Sequence, residues 1–102
     1  MLLHLEKQND LDLLIKENKE VLIDFYAKWC GPCRMLTPVL EEVSDELPNL
    51  AIIKIDVDEF HELAAKYGVT AIPTMIQFKE GKIANIFRGY LSKEDLIIEL
   101  NK

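Results

Sequence analysis

Apolar residues occur along the chain in short, nearly continuous runs that are rich in β-forming side chains. The clearest run is VLIDFYA, residues 21–27, which predicts a parallel strand buried on both faces near the centre of a sheet. LLHL at the amino terminus and AIIKIDV, residues 51–57, predict two further strands. TMIQFK and KIANIFRG flank Glu80 and Gly81, which predicts a β-hairpin.

Between these runs the apolar residues recur at helical spacing, which predicts four helices. The helices lie in NDLDLLIKEN, in the segment from Pro32 to about Pro48, in EFHELAAKYG and in SKEDLIIELN. We expect Asn9 or Asp10 to cap the first helix and Ser92 to cap the last one. Pro38 removes a backbone donor inside the long helix, so we expect a kink there, and Gly68 should end the third helix.

The predicted strands and helices follow one another in the order βαβαβαββα. Helices between the early strands imply parallel pairing, and the late hairpin adds antiparallel strands. The predicted fold class is therefore α/β, a central mixed sheet with helices on both faces. A chain of 102 residues with 49% hydrophobic residues suits one domain, residues 1–102, with a single core.

The charge and the terminal segment narrow the function classes. A formal net charge of −6 argues against a nucleic-acid partner, because phosphate contacts need clustered Lys and Arg. MLLHLEK is too short an apolar stretch for a signal peptide, and no run approaches the roughly 18 apolar residues of a membrane span. We therefore expect a soluble, cytoplasmic protein with no membrane partner. In that reducing compartment a close cysteine pair is more often catalytic or metal-binding than permanently bridged.

WCGPCR, residues 29–34, contains the only two cysteines and the only tryptophan of the chain. It lies where a buried strand ends and a long helix begins, and the free N–H groups and helix dipole at that end stabilise negative charge. Cys30 is therefore the predicted nucleophile, and Cys33, one turn further in, is the predicted resolving thiol of a reversible disulfide. Gly31 permits the tight turn, and Pro32 suits a first helical turn because it lacks an N–H.

Other interpretations of the cysteine pair are weaker. A permanent structural bridge is unnecessary in a chain this apolar, and two cysteines are too few for a disulfide framework. A zinc site would need two more ligands, for which His4 and His61 are the only candidates. Two unreactive core cysteines would not be expected at a turn that includes Gly and Pro. DVDE, after the third strand, is more simply a solvated or helix-capping segment than a cation site.

Four segments resemble the thioredoxin family, and together they cover nearly the whole chain. The segments are DFYAKWCGPCRMLTPVLEEV, KIDVDE, YGVTAIPTMIQFKEGK and GYLSKEDL. They are similar, in turn, to the family's active-site strand and helix, its next strand end, its proline loop and hairpin, and its last turn. The chain departs from the family pattern at Tyr26, where tryptophan is usual.

The resemblance implies a protein-disulfide reductase, a redox carrier that takes part in electron transport and cell redox homeostasis. Such a protein acts as a monomer on disulfide-containing client proteins through a reversible Cys30–Cys33 disulfide. It is re-reduced by thioredoxin reductase, which uses NADPH. The resemblance implies no bound cofactor and no metal in the protein itself.

Two charged residues interrupt the buried strands. Asp24 in an apolar strand should have a raised pKa and could accept the proton of Cys33 directly or through a water. Without the resemblance, a satisfied core carboxyl is the less favoured alternative. Lys54 alone would be a snorkelling surface lysine. The resemblance instead implies a lysine beside the buried aspartate, whose charge offsets part of the burial penalty.

The resemblance also implies a shallow substrate groove that faces the cysteines. Pro73 would follow a cis peptide bond, and the exposed backbone of Ile72 could pair with an extended client segment like an added strand. Trp29 alone could equally be a core residue, but next to a reactive helix start it would cover the thiols. The predicted groove residues are Trp29, Gly31, Pro32, Ile72, Pro73 and Gly89.

Two other function classes use the same features. A disulfide isomerase or oxidase would share the fold, but the oxidising members of the family typically have other residues between the cysteines and are exported. A binding module could use the reduced surface to hold a partner without turnover. The redox potential separates the first class from a reductase, and catalytic turnover separates the second.

Overall fold

The computed structural model describes all residues from 1 to 102. Its elements are β1 (Leu2–His4), α1 (Asp10–Glu17), β2 (Glu20–Tyr26), α2 (Gly31–Glu46), β3 (Leu50–Asp56), α3 (His61–Lys66), β4 (Thr74–Lys79), β5 (Lys82–Arg88) and α4 (Lys93–Leu100). This succession confirms the predicted order βαβαβαββα. None of the helices is both long and apolar enough to span a membrane.

The five strands form one mixed sheet in the order β1-β3-β2-β4-β5. β3 pairs in parallel with β1 and with β2, whereas β4 is antiparallel to both β2 and β5. The nearly continuous apolar run of β2 therefore lies at the centre of the sheet, as predicted for a strand with two buried faces.

Helices cover the sheet on both faces, which confirms the predicted architecture. Leu11 of α1 and Leu63 of α3 share one apolar cluster with Ile23 of β2. Leu40 of α2 belongs to a second cluster with Leu22 of β2, and residues of α4 complete that cluster. Because neighbouring residues of a strand point to opposite faces, the two clusters lie on opposite sides of the sheet.

The predicted ends of the later elements are confirmed. The Ser92 hydroxyl accepts a hydrogen bond from the backbone N–H of Asp95 at 3.2 Å and so caps α4. Gly68 follows α3 with a φ of +68°, a conformation that glycine adopts without strain. Glu80 and Gly81, with φ of 52° and 79°, form the two-residue turn between β4 and β5.

The predicted side-chain cap of α1 is wrong. Asn9 occupies the capping position but already has helical dihedral angles, and its side chain makes no capping hydrogen bond. The N–H groups of Asp10 and Leu11 instead donate to the backbone carbonyls of Lys7 and Gln8. A turn that precedes the helix therefore satisfies donors that a side chain would otherwise satisfy. In α2 the helix continues through Pro38, and the kink expected there stays a prediction.

Candidate active site

Cys30 and Cys33 are joined by a disulfide at the start of α2, with their Cα atoms 5.2 Å apart. Cys30 has extended backbone angles and occupies the N-cap position, so its sulfur lies beside the free N–H groups of the first turn. The N–H of Cys33 donates to the Sγ of Cys30 at 3.2 Å. Gly31 and Pro32 form the first turn between the two cysteines, and proline takes a position where no N–H is needed.

Both sulfur-bearing residues are buried in this oxidised form. Cys30 is 6% exposed and Cys33 is 2% exposed, so Cys30 is the more accessible of the two. A nucleophilic thiol has to be more accessible than the resolving thiol, and Cys30, the predicted nucleophile, is the more exposed residue. Ala27 packs with both cysteines, and Ile72 covers them from the facing loop.

The loop before β4 brings Ile72 and Pro73 to the disulfide. The carbonyl oxygen of Ile72 lies 3.9 Å from the Sγ of Cys30, and the Ile72-Pro73 peptide bond is cis. Ile72 makes no backbone–backbone hydrogen bond through its N–H or its carbonyl group. Gly89, with a φ of +89°, donates its N–H to the carbonyl oxygen of Pro73 at 2.8 Å and so ties the end of β5 to this loop.

Trp29 is a surface residue and not a core residue. Its side chain is 69% exposed, and its Nε1 donates to Oδ2 of Asp58 at 2.9 Å. Trp29 and Ile72 line a mostly apolar hollow of about 210 Å³ together with residues of α3 and its flanking loops. The other lining residues are Val57, Ala64, Val69, Thr70 and Ala71. Trp29 therefore forms one wall of a surface groove that adjoins the disulfide.

Asp24 is fully buried on β2, and neither of its carboxylate oxygens has a hydrogen-bond partner. No hydrogen bond from the protein satisfies this carboxyl group, which favours the interpretation that it exchanges a proton. Burial raises the pKa of Asp24 from its usual value of 3.8 to about 6, and the positive charge of Lys54 offsets part of that rise. A carboxyl group with this pKa exchanges its proton close to neutral pH.

Lys54 is buried on β3, directly opposite Asp24 in the strand register, and only 4% of it is exposed. Its Nζ lies 4.0 Å from Oδ2 of Asp24 and donates to Oγ1 of Thr37 at 3.0 Å. The alternative of a snorkelling surface lysine is therefore wrong. The same Nζ lies 4.5 Å from the centre of the Tyr26 ring. The ammonium group is held by a carboxylate, a hydroxyl group and an aromatic face.

Thr37 is a site residue that the sequence patterns did not single out. Its hydroxyl donates to the carbonyl oxygen of Cys33 at 3.3 Å and accepts from Lys54, so it connects the resolving cysteine to the buried lysine. The available signal was its spacing, since a residue four positions after Cys33 lies on the same face of α2. Cys33, Thr37, Lys54 and Tyr26 all line one cavity of about 210 Å³.

Two larger cavities, of about 450 and 530 Å³, lie away from this chemistry. Both adjoin Lys19 and Glu80, at the amino-terminal end of β2, whereas the cysteines follow its carboxyl-terminal end. Neither cavity is lined by a cysteine. No cluster of three or more His, Cys, Asp or Glu side chains is arranged to hold a metal ion.

The chain is similar to known thioredoxins in both sequence and structure. The family model for thioredoxin matches residues 2–102. Thioredoxin of Mycoplasmoides gallisepticum is 41% identical over 93 residues, which are 91% of this chain and 93% of that protein. The chloroplastic thioredoxin Y2 of Arabidopsis thaliana is 47% identical over 87 residues, which are 84% of this chain but only 52% of the longer plant protein. A mutant thioredoxin from Halobacterium salinarum superposes with a TM-score of 0.92 at 39% identity and covers 98% of this chain and 88% of its own.

Proposed function

The chain belongs to the thioredoxin family and is a thiol–disulfide oxidoreductase, and we propose that Cys30 is its nucleophile and Cys33 its resolving thiol. One observation carries this assignment: the disulfide lies at the start of α2, where the N–H of Cys33 donates to the Sγ of Cys30. In the reduced protein the same N–H group and the helix dipole would stabilise a thiolate on Cys30.

The first half of the reaction transfers a client sulfur to Cys30. The Cys30 thiolate attacks one sulfur of the client disulfide, and a new S–S bond forms as the client S–S bond breaks. The other client sulfur leaves as a thiolate and takes a proton from solvent. The product is a mixed disulfide between Cys30 and the client.

The second half of the reaction releases the client. Cys33 loses its proton and attacks the Sγ of Cys30, so the Cys30–Cys33 bond forms and the second client thiolate leaves. Two electrons have then passed from the dithiol to the client disulfide. Asp24 is the proposed proton acceptor, because a pKa of about 6 leaves it largely ionised at pH 7 and no other protein group donates a hydrogen bond to its oxygens. Lys54 tunes this group through its charge.

The cavity beside Cys33 supports a route for that proton. At about 210 Å³ it has room for several water molecules, each of which takes about 30 Å³ in the liquid. Thr37 and Lys54 supply polar groups on its wall, which a water molecule needs as partners. A proton can therefore leave Cys33 through water in this cavity, and Lys54, which lines the cavity, lies 4.0 Å from the carboxylate of Asp24.

Client binding is assigned to the groove in front of the disulfide. The backbone of Ile72 has both polar groups free of other backbone partners, so an extended client segment can hydrogen-bond to it as an added strand. Trp29 and Ile72 supply apolar contact area there. We assign Gly31 and Pro32 to the border of the groove because they directly follow Cys30 at the start of α2. Gly89 supports the groove through its hydrogen bond to Pro73.

We further propose that thioredoxin reductase regenerates the dithiol with electrons from NADPH, and that this cycle takes place in the cytoplasm as part of electron transport and cell redox homeostasis. The family membership and the disulfide at the start of α2 support a protein reductase as the electron donor. A coupled assay of NADPH consumption with thioredoxin reductase and a disulfide-containing protein measures the complete cycle.

Single-cysteine variants test the assigned roles. Cys30→Ser should abolish the reduction of insulin disulfides, because no thiolate remains at the helix start. Cys33→Ser should still attack but should accumulate a mixed disulfide, since nothing resolves it. Mass spectrometry of each variant after exposure to oxidised insulin measures the adducts directly.

The double variant, with both cysteines replaced by serine, is the matched control and should form no adduct. Stable adducts through Cys33 in the Cys30→Ser protein, together with none through Cys30 in the Cys33→Ser protein, would reverse the assignment.

A further inference from the structure

We propose that Tyr26 is a positioning residue for the release step: its ring holds the ammonium group of Lys54 beside Asp24, the carboxyl group that receives the proton of Cys33. The inference rests on the proposed role of Asp24 and adds a residue and a contact to it.

The sheet itself brings these groups together. Asp24 and Lys54 are partners in the β2–β3 register, and His4 is the partner of Lys54 in the β1–β3 register. Side chains at paired positions lie on the same face, so the three form a row across neighbouring strands. Tyr26 is two residues beyond Asp24 on β2 and therefore points to the same face.

The ammonium group of Lys54 needs several partners because it is almost fully buried. The carboxylate of Asp24 is 4.0 Å away, at the limit of an ion pair, and the hydroxyl of Thr37 accepts a hydrogen bond at 3.0 Å. The face of the Tyr26 ring, 4.5 Å from Nζ, is within the range of a cation–π contact. Lysine is flexible, so removing one of these partners lets Nζ move toward solvent.

Tyr26 also contacts His4, the exposed residue at the end of the row. The phenol oxygen lies 3.4 Å from Nδ1 of His4, and the two rings meet edge to face with centroids 6.1 Å apart. His4 is exposed whereas Tyr26 is half-buried, so the pair closes the outer end of the row. The long hydrogen bond is the weaker of the two contacts of Tyr26, and the ring face carries the larger effect.

The charges around Tyr26 favour a neutral phenol. Burial raises the pKa of Tyr26, and the carboxylates of Asp56, Glu59 and Asp24 raise it further, in that order. The ring therefore acts on Lys54 through its electron-rich face and not as an anion. Lys54 is the cation among these carboxylates, so its position sets how much of its charge Asp24 experiences.

A double-mutant cycle tests this inference on the oxidised protein, with no turnover involved. Tyr26→Leu removes the ring, once in the protein with Lys54 and once in a Lys54→Met background. Carboxyl-carbon NMR measures the pKa of Asp24 in each of these proteins and in the two parent proteins. With Lys54 present, loss of the ring frees the ammonium group and should raise that pKa. Without Lys54, loss of the ring only admits water, so the pKa should stay constant or fall. The two effects should differ by about 0.5 to 1 pKa unit.

Two further variants separate the effect of the ring from the effects of the hydroxyl group and of side-chain shape. Tyr26→Phe keeps the ring and loses the hydroxyl, so the pKa of Asp24 should stay close to that of the unmodified protein. Tyr26→Met removes the ring with a different, flexible side chain and should reproduce the Tyr26→Leu result. Equal effects of Tyr26→Leu in the two backgrounds, or a lower pKa when Lys54 is present, would overturn the inference.

A kinetic measurement separates this inference from the function it rests on. The decay of a Cys30 mixed disulfide with a peptide, followed against pH, should show its inflection move upward in Tyr26→Leu and not in Tyr26→Phe. If Asp24→Asn decays as fast as the unmodified protein, the proposed role of Asp24 fails. If Asp24→Asn is slow and Tyr26→Leu leaves the inflection in place, the positioning role of Tyr26 fails.

Discussion

The two faces of β2 and β3 differ in composition although the same strands form both. Toward α1 and α3 the buried residues are all apolar: Val21, Ile23, Phe25, Ala51, Ile53 and Ile55. Toward α2 and α4 the intervening positions are Leu22, Asp24, Tyr26, Ile52, Lys54 and Asp56, half of which carry charge. The polar groups are concentrated at the carboxyl-terminal half of each strand, beneath the disulfide.

This difference shows how one sheet separates stability from chemistry. Side chains alternate along a strand, so a charged residue placed on one face leaves the packing of the other face intact. The apolar face stabilises the fold through burial. On the polar face the carboxyl group of Asp24, which accepts no hydrogen bond from the protein, loses hydration, and its pKa is raised to about 6 because its charge is unfavourable there.

The largest expected effect comes from breaking the apolar face. Phe25 is completely buried there, and Phe25→Ala should lower the free energy of unfolding by about 3–5 kcal/mol. The loss should be the same at pH 4 and pH 7, because no titrating group is exposed or removed. Urea unfolding at the two pH values measures it. A loss that changes with pH by more than about 1 kcal/mol would show that the two faces are energetically connected.

On the polar face, Asp24→Asn should raise the free energy of unfolding and not lower it. The native pKa of Asp24, about 6, lies above its usual value of 3.8, so the folded state binds more protons between these values. The stability of the unmodified protein therefore falls as pH rises through that window and levels off above it. Asparagine removes this loss and should stabilise the protein by about 3 kcal/mol at pH 7.

The same substitution should slow the release of the client. Loss of a well-placed general base reduces a rate by about 10²–10⁴-fold. Urea unfolding across pH and rapid-mixing decay of the mixed disulfide measure the two effects. Near pH 3, where the carboxyl group is neutral in both states, the stability gain should vanish. A gain that persists there would assign the effect to packing and not to charge.

Lys54→Met should also change the stability of the protein through Asp24, but by a smaller amount. An opposite charge at this range lowers a carboxyl pKa by about 1 unit or more, so its removal should raise the pKa of Asp24 to roughly 7. The window in which stability falls with pH, which ends near pH 6 in the unmodified protein, should then extend upward. Across the whole window the free energy of unfolding should fall by about 1.4 kcal/mol more than in the unmodified protein. An unchanged pKa in the NMR titration would mean that solvent already screens Lys54.

The elements of the fold and the central residues of the site were predictable because their signals are local. Apolar periodicity depends on neighbouring positions along the chain, so it located the strands, the helices and the hairpin. The spacing of the two cysteines at a strand–helix junction indicated a redox site. Asp24 did so as a charge within an apolar run.

Other features depend on residues that are distant in sequence. The burial of Lys54 and its contacts with Thr37 and Tyr26 follow from the register of β2 against β3 and from the placement of α2 over them. A lysine side chain alone favours the surface, so the residue type predicted exposure and not the observed burial. Asn9 has a side chain suited to capping, but the turn before α1 satisfies the helix donors instead. Tertiary context decided each of these cases.

The smallest effect concerns the helix end at Ser92, on the same face as the site. Its hydroxyl accepts the N–H of Asp95, so Ser92→Ala leaves a helix donor without its partner and should lower the free energy of unfolding by about 1 kcal/mol. Nothing in this change titrates between pH 4 and 6, so the pH dependence of stability should be unaffected. The decay rate of the mixed disulfide should also stay constant, because α4 does not contribute to the row of polar residues.

Asn9→Ala is the matched control, since Asn9 occupies the same position at α1 without a side-chain hydrogen bond, and its effect should be within about 0.5 kcal/mol. Urea unfolding of both variants at pH 5 and pH 7 distinguishes them. If Ser92→Ala altered the slope of stability with pH, the whole face would be coupled to Asp24. If the slope stays the same, a helix on that face can be weakened without disturbing the titration of Asp24. The energetic difference between the two faces then lies in the few residues around Asp24 and Lys54.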